Sequence, residues 1–113
     1  MEHSVKLNED PFNDIKNGSK KIEIRLNDEK RQRVKIGDII IFEKRPELIE
    51  KIKVKVIQIK KYKKYSDLVE DNKLSDFGNR FISKKQILSL GNTYYAKEDI
   101  EKYGFVVFKI KIV

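Results

Sequence analysis

Apolar and polar residues alternate in several short runs of this chain, and the alternation predicts a small sheet. His3, Val5 and Leu7 share one face of a first strand over residues 3–7. Ile22, Ile24 and Leu26 share a face of a second, with Lys21, Glu23 and Arg25 on the other. The run Ile39-Ile40-Ile41-Phe42 reads as a buried third strand. Over residues 47–58, Ile52, Val54 and Val56 alternate with Lys51, Lys53 and Lys55, and then the apolar set shifts to Ile57 and Ile59. That slip predicts a β-bulge near Val56 and Ile57, which bends a strand as barrel closure requires. Residues 105–113 complete the sheet. Val106, Phe108, Ile110 and Ile112 lie on one face there, Lys109 and Lys111 face out, and Phe105 and Val107 sit beneath helices or at a seam.

Helix signals fall between these strands. Asp10 and Pro11 predict a helix start, and Asn17-Gly18 its end, because glycine takes the left-handed conformation easily. Ser66 is the expected cap of a helix over 67–72, and Ser83 of one over 84–90 closed by Gly91. A further helix is expected over 96–102, where Glu98 and Asp99 suit the helix dipole. Residues 27–33 have no apolar face and read as a charged loop or a short helical turn capped by Asn27 or Asp28. Phe77 and Phe81 flank Gly78 in an irregular connection. No repeat or linker breaks the pattern. The expectation is one α+β domain over residues 1–113, with about five or six strands and three or four short helices around a small mixed β-barrel.

Composition narrows the chemistry. The 113 residues contain no cysteine and one histidine, which excludes disulfides, thiolate metal sites and a histidine-rich metal centre. No cofactor is expected. No apolar run approaches a membrane span, and the Met-Glu-His-Ser start does not read as a signal peptide, so a cytoplasmic protein without a membrane partner is expected. The net charge of +8 suits a polyanion such as RNA. Lysine supplies most of that charge, since only five of the 26 cations are arginine, and lysine-rich bias alone also produces a basic chain. The run Lys60-Lys61-Tyr62-Lys63-Lys64-Tyr65 mixes cations with aromatics. It suits stacking on RNA bases, or is simply the end of a strand whose tyrosines edge the core.

The most informative stretch is residues 18–26, where Gly18, Lys20, Glu23 and Arg25 form the pattern G-x-K-x-x-E-x-R. Lys20 has the parity of the apolar face, so it joins Glu23 and Arg25 only if the chain bends between Gly18 and Lys21. A carboxylate beside two cations can orient or deprotonate water, and the cations can hold an anion. The alternative is a solvated face of an amphipathic strand. Lys30, Arg31 and Arg33 follow closely, as a basic lip that grips phosphate or as a solvated loop. His3 reads as structural or as a pocket residue.

The segment from Pro11 to Leu26 resembles the signature of ASCH domains, a family similar to PUA β-barrels. Its "PF..I..G.K..E.R" block is followed by a "GD.I.F" block, here Gly37-Asp38-Ile39-Ile40-Ile41-Phe42, and Tyr103-Gly104 precedes the last strand. The resemblance implies a PUA-like barrel with a pocket beside the G-x-K-x-x-E-x-R strand that binds RNA or a modified nucleoside. Lys20 and Arg25 would contact phosphate or a base carbonyl, and Glu23 would accept from an exocyclic amine. Some similar proteins are amidohydrolases acting on N4-acetylcytidine, and others have been assigned ribonuclease activity. In the amidohydrolases the motif lysine, matched by Lys20, works with a threonine at the position Glu23 occupies here and with a later glutamate, for which Glu70 is the nearest candidate. The resemblance thus leaves turnover open, with Lys20 and Glu23 as the catalytic pair of a hydrolase reading. A structural or protein-interaction domain is the third reading, in which Glu23 and Arg25 pair with each other and line no cavity. Oligomeric state is not specified by any of these residues.

Overall fold

The structure, a computed structural model, describes residues 1–113, the side chain of Asn92 excepted. Five strands form one mixed sheet: β1 (Glu2–Leu7), β2 (Ile22–Leu26), β3 (Ile39–Lys44), β4 (Lys51–Tyr62) and β5 (Phe105–Ile112). Their order is β1-β3-β4-β5-β2, with β1 and β3 parallel and every other pair antiparallel. The sheet curls into a half-barrel, as expected of a small PUA-like α+β fold. The helices are α1 (Glu9–Lys16), α2 (Glu29–Gln32), α3 (Tyr65–Asp71), α4 (Lys84–Tyr94) and α5 (Lys97–Tyr103), with a 3-10 turn at Leu74–Asp76.

Strand alternation places a separate apolar cluster on each face. Val5, Leu7, Ile40, Phe42, Val54, Val56, Val106, Phe108 and Ile110 point to the concave face, where Phe12 and Ile15 of α1 and the loop residue Val34 cover them. The convex face carries Ile22, Phe105 and Val107, packed under Leu68 and Val69 of α3 and Ile87 of α4. Full burial of a side chain such as Phe12, Phe42 or Phe108 stabilises by about 1.5–3 kcal/mol, which is what holds helices this short. The β4–β5 register shifts between Val56 and Gln58, at the predicted bulge. The shift turns Ile57 outward, 42% exposed, while Ile59 packs on the concave core, so only one of the two isoleucines joins the apolar set. Beyond the bulge β4 continues to Tyr62, and Tyr62 and Tyr65 edge the convex cluster rather than presenting free rings.

Three helix boundaries differ from expectation. The first helix starts at Glu9 after Asn8, so Pro11 sits inside its first turn and Asp10 is not the cap. The third starts at Tyr65, one residue before Ser66, and has no side-chain cap. Helix α4 is capped by Ser83, which accepts from the Gln86 amide at 3.2 Å, but it runs through Gly91 to Tyr94. Gly91 is there for space rather than for a stop: a Cβ at that position would run into the Tyr65 ring. Gly18, in contrast, takes the expected left-handed φ of +83° at the end of α1. At the far end of the sheet, Ile112 keeps the predicted parity but is 47% exposed, because the sheet outruns its cover there.

Candidate binding site at the sheet seam

The two edge strands, β1 and β2, face each other across the opening of the half-barrel. Arg25 donates from Nη2 to the Lys6 carbonyl at 3.2 Å, bridging the seam. A small cleft of about 10 Å³ lies behind this bridge, bordered by His3 and Val5 of β1, Glu23 and Arg25 of β2, Lys30 and Arg31 of α2, and Phe108. That space suits about one water molecule.

Glu23 is the centre of the group. It lies on the concave face of β2, opposite Phe108 in the register, and is only 3% exposed. Glu23 is therefore not part of a solvated strand face, although Lys21, just before the strand, is exposed and Arg25 is partly so. Two cations compensate the buried carboxylate: Arg25 Nε donates to Oε2 at 2.8 Å, and Lys20 Nζ lies 3.7 Å from Oε1. Lys20 reaches Glu23 because the chain bends where parity requires. The backbone of Lys20 bridges to Phe77, its amide donates to the Asp14 carbonyl, and the regular strand starts only at Ile22.

The basic lip is partly assembled. Asp28 caps α2 by accepting from the Arg31 amide at 3.0 Å, which turns Lys30 and Arg31 toward the cleft. Arg33 is exposed just beyond the helix and does not line it. No protein acceptor among the described residues reaches the buried Arg31 Nε. Burial, and next the neighbouring Arg25, push the Arg31 guanidinium below its ordinary value, with Asp28 and Glu23 opposing them. A cation desolvated beside another cation gains most from an added anion. His3 borders the same cleft, but its Nε2 is 2.8 Å from Asp38 Oδ2. The contact with His3, followed by the Lys35 amide, holds the Asp38 carboxyl down at about 2. Glu70 is exposed on α3, away from the cleft, and its carbonyl accepts from Lys84 Nζ.

Sequence reasoning missed the residues that fix Lys20 in place. Asp14 is 6% exposed, and Arg80 Nε donates to its Oδ2 at 2.5 Å. The Asp14 carbonyl also accepts from the amides of Ser19 and Lys20. Nothing in the apolar pattern marks Asp14, because its partner comes from a distant irregular segment. The Asp38 contact with His3 had one visible signal, the glycine-aspartate turn before a buried strand.

A family model for the ASCH domain matches residues 5–113. The hypothetical protein PH0355, known from a crystal structure, is similar over the whole of both chains, with 35% sequence identity and a TM-score of 0.87. Protein PF0455 from Pyrococcus furiosus, solved by NMR, is similar over all of this chain and 98% of its own, with 33% identity and a TM-score of 0.77. No curated protein matched. With the motif strand, the "GD.I.F" strand and the half-barrel all inside the matched span, the chain belongs to the ASCH domain family.

Proposed function

We propose that the seam binds RNA, chiefly through the phosphate backbone. The observation that carries this reading is the charge balance of the cleft: Arg25, Lys30 and Arg31 gather around one buried carboxylate that Lys20 and Arg25 already compensate. Arg31, desolvated and with an unused Nε, is the group an arriving phosphate oxygen would satisfy. The dimensions favour the backbone over an enclosed base. Small-molecule pockets run roughly 300–1,000 Å³, whereas this cleft offers about 10 Å³. Glu23 then acts as the anchor that orients Arg25, and Lys61, Lys63 and Lys64 add affinity that does not depend on sequence, while Lys60 is taken up by Asp71.

One feature favours hydrolysis as a second reading. The cleft beside Glu23 is water-sized, and Lys20 stands 3.7 Å from the same carboxylate. In that reading Glu23 activates the water and Lys20 polarises the substrate carbonyl. Glu70, exposed on α3, takes no part in it.

Anisotropy titrations of a short single-stranded RNA at several salt concentrations test the first reading. Arg31→Ala and Lys30→Ala leave the Glu23 pairs intact. Each should weaken binding and lower the slope of log K against log salt by roughly 0.7 for each phosphate that is no longer neutralised. Wild-type affinity and slope in both variants would overturn it. Release of the acyl group from an acylated nucleoside, abolished in Glu23→Gln, would install the hydrolase reading instead.

A further inference from the structure

A larger cavity lies on the other side of β2. Ile22 and Glu23 are consecutive and face opposite sides of the strand, so the two sites share a wall but not a space. This cavity encloses about 150 Å³ where the helical cover of the convex face ends. Its apolar lining comes from Ile22 and Val107. Lys60 and Asp71 are committed to each other at 3.3 Å, and Tyr62 also donates its hydroxyl to Asp71. Gln58, Lys73, Asp76 and Lys109 border the same space, and among the described residues their side chains have no hydrogen-bond or ion-pair partner.

The sheet beside it carries a second feature. Below the helices, β4 and β5 pair Lys55 directly with Lys111, and Gln58 with Lys109. Like charges directly opposite on a sheet destabilise it. Neither Lys55 nor Lys111 has a carboxylate partner among the described residues, whereas Lys51 and Lys53 are paired with Glu43 and Glu2. The bare face thus leads from an uncompensated lysine pair into a cavity with two more free lysines.

We propose that this cavity is a second binding site, for a nucleotide unit whose base rests over Ile22 and Val107 and whose phosphate meets Lys73 and Lys109. Aliphatic side chains suit the flat face of a base, and the Gln58 amide offers both a donor and an acceptor to its edge. Asp76 repels phosphate, so it belongs at the base end, where it accepts from an exocyclic amine. That assigns a preference for an amine-bearing base over an isosteric carbonyl-bearing one. The Lys55/Lys111 pair lies where a flanking phosphate would run if the nucleotide belongs to a strand. This second site is independent of the seam reading, because none of its residues borders the seam cleft.

The test is an NMR titration of the ¹⁵N-labelled chain with CMP, UMP, cytidine and inorganic phosphate. CMP should shift the amides of Gln58, Lys73, Asp76 and Lys109 at lower concentration than cytidine or phosphate, and at lower concentration than UMP. The double variant Lys73→Ala/Lys109→Ala should weaken CMP at these four amides at least about tenfold, Arg31→Ala should leave the response of these four amides unchanged, and Asp76→Asn should remove the CMP-over-UMP preference. A short oligocytidylate separates the two sources of the ligand. Tighter binding that Lys55→Ala/Lys111→Ala abolishes identifies a strand, and binding equal to CMP identifies the free nucleotide. No shift at these amides at several millimolar CMP, shifts confined to the seam residues, or phosphate binding as tightly as CMP would each overturn the proposal.

Discussion

Among the described residues two carboxylates are buried, and they do different work. Asp14 and Glu23 are 6% and 3% exposed, and each is held by an arginine. Asp14 borders neither cavity. Arg80 bonds it from a segment far along the chain, Gly78 packs against it, and its backbone holds the start of the motif strand. Glu23 has two cationic partners and borders the seam. Burial and ion pairing alone do not distinguish a clamp from a site. The surroundings do, because Asp14 joins two chain segments while Glu23 gathers cations around an opening.

Substitutions separate the two. The largest effect is expected for Glu23→Ala, which leaves Lys20 and Arg25 without their carboxylate. Their side chains are 14% and 26% exposed, so they recover some hydration, and the loss should fall near the low end for a broken buried pair, about 3 kcal/mol. Denaturant unfolding measures it, and a loss under half that size would mean that water already reaches the group. Gly78→Ala comes next. Its φ is +111°, and a Cβ would lie 3.1 Å from Asp14 Oδ2, so a cost of about 2 kcal/mol is expected with no change in Glu23 chemistry. Asp14→Ala should cost less, about 1.5 kcal/mol, because Arg80 is 42% exposed and turns to solvent. If Asp14→Ala impairs RNA binding as much as Arg31→Ala does, Asp14 also serves the site and the distinction fails.

The smallest effect concerns the carboxylate that holds His3 at the edge of the seam. Asp38 titrates near 2 in the folded chain, below the ordinary carboxylate value of roughly 4. A depressed value means that its stabilising contribution is complete above the unfolded value and is lost as pH falls from there through about 2. In an acid titration of stability, Asp38→Asn should flatten that part of the curve. His3→Ala should flatten it partly, since the His3 contact is the largest cause.

The legible parts of the sequence were those governed by a local period. Parity placed Ile22, Ile24 and Leu26 on one side of β2 with Glu23 and Arg25 on the other, and it located the bulge after Val56. It also gave the condition for Lys20 to join Glu23, a bend before Lys21, and the two side chains do meet there. What parity cannot tell is which face is dry. The Glu23 side looked like a solvated face because charge usually marks one. Here the sheet curls over it, and curvature arises from pairings between residues remote in sequence. The Asp14–Arg80 bond was hidden for the same reason, as was the cavity beneath Gln58 and Lys109, which exists only where α3 and the 3-10 turn stop covering the sheet. Helix starts erred by one or two residues and the end of α4 by four where packing overrode capping, as when the Tyr65 ring occupies the space that Gly91 leaves in α4.

The sheet order also sets when the molecule can become whole. Strand β5 is the last in the chain, yet it lies between β4 and β2, and Ile22 pairs with Lys109. During synthesis β1, β3 and β4 can pair as they emerge, but β2 has no partner until β5 has left the ribosome. The strand that carries Glu23 and Arg25 is therefore made early and docked late. Until it docks, its isoleucines and its charged motif wait in the open, the period in which such a chain is most exposed to misassociation.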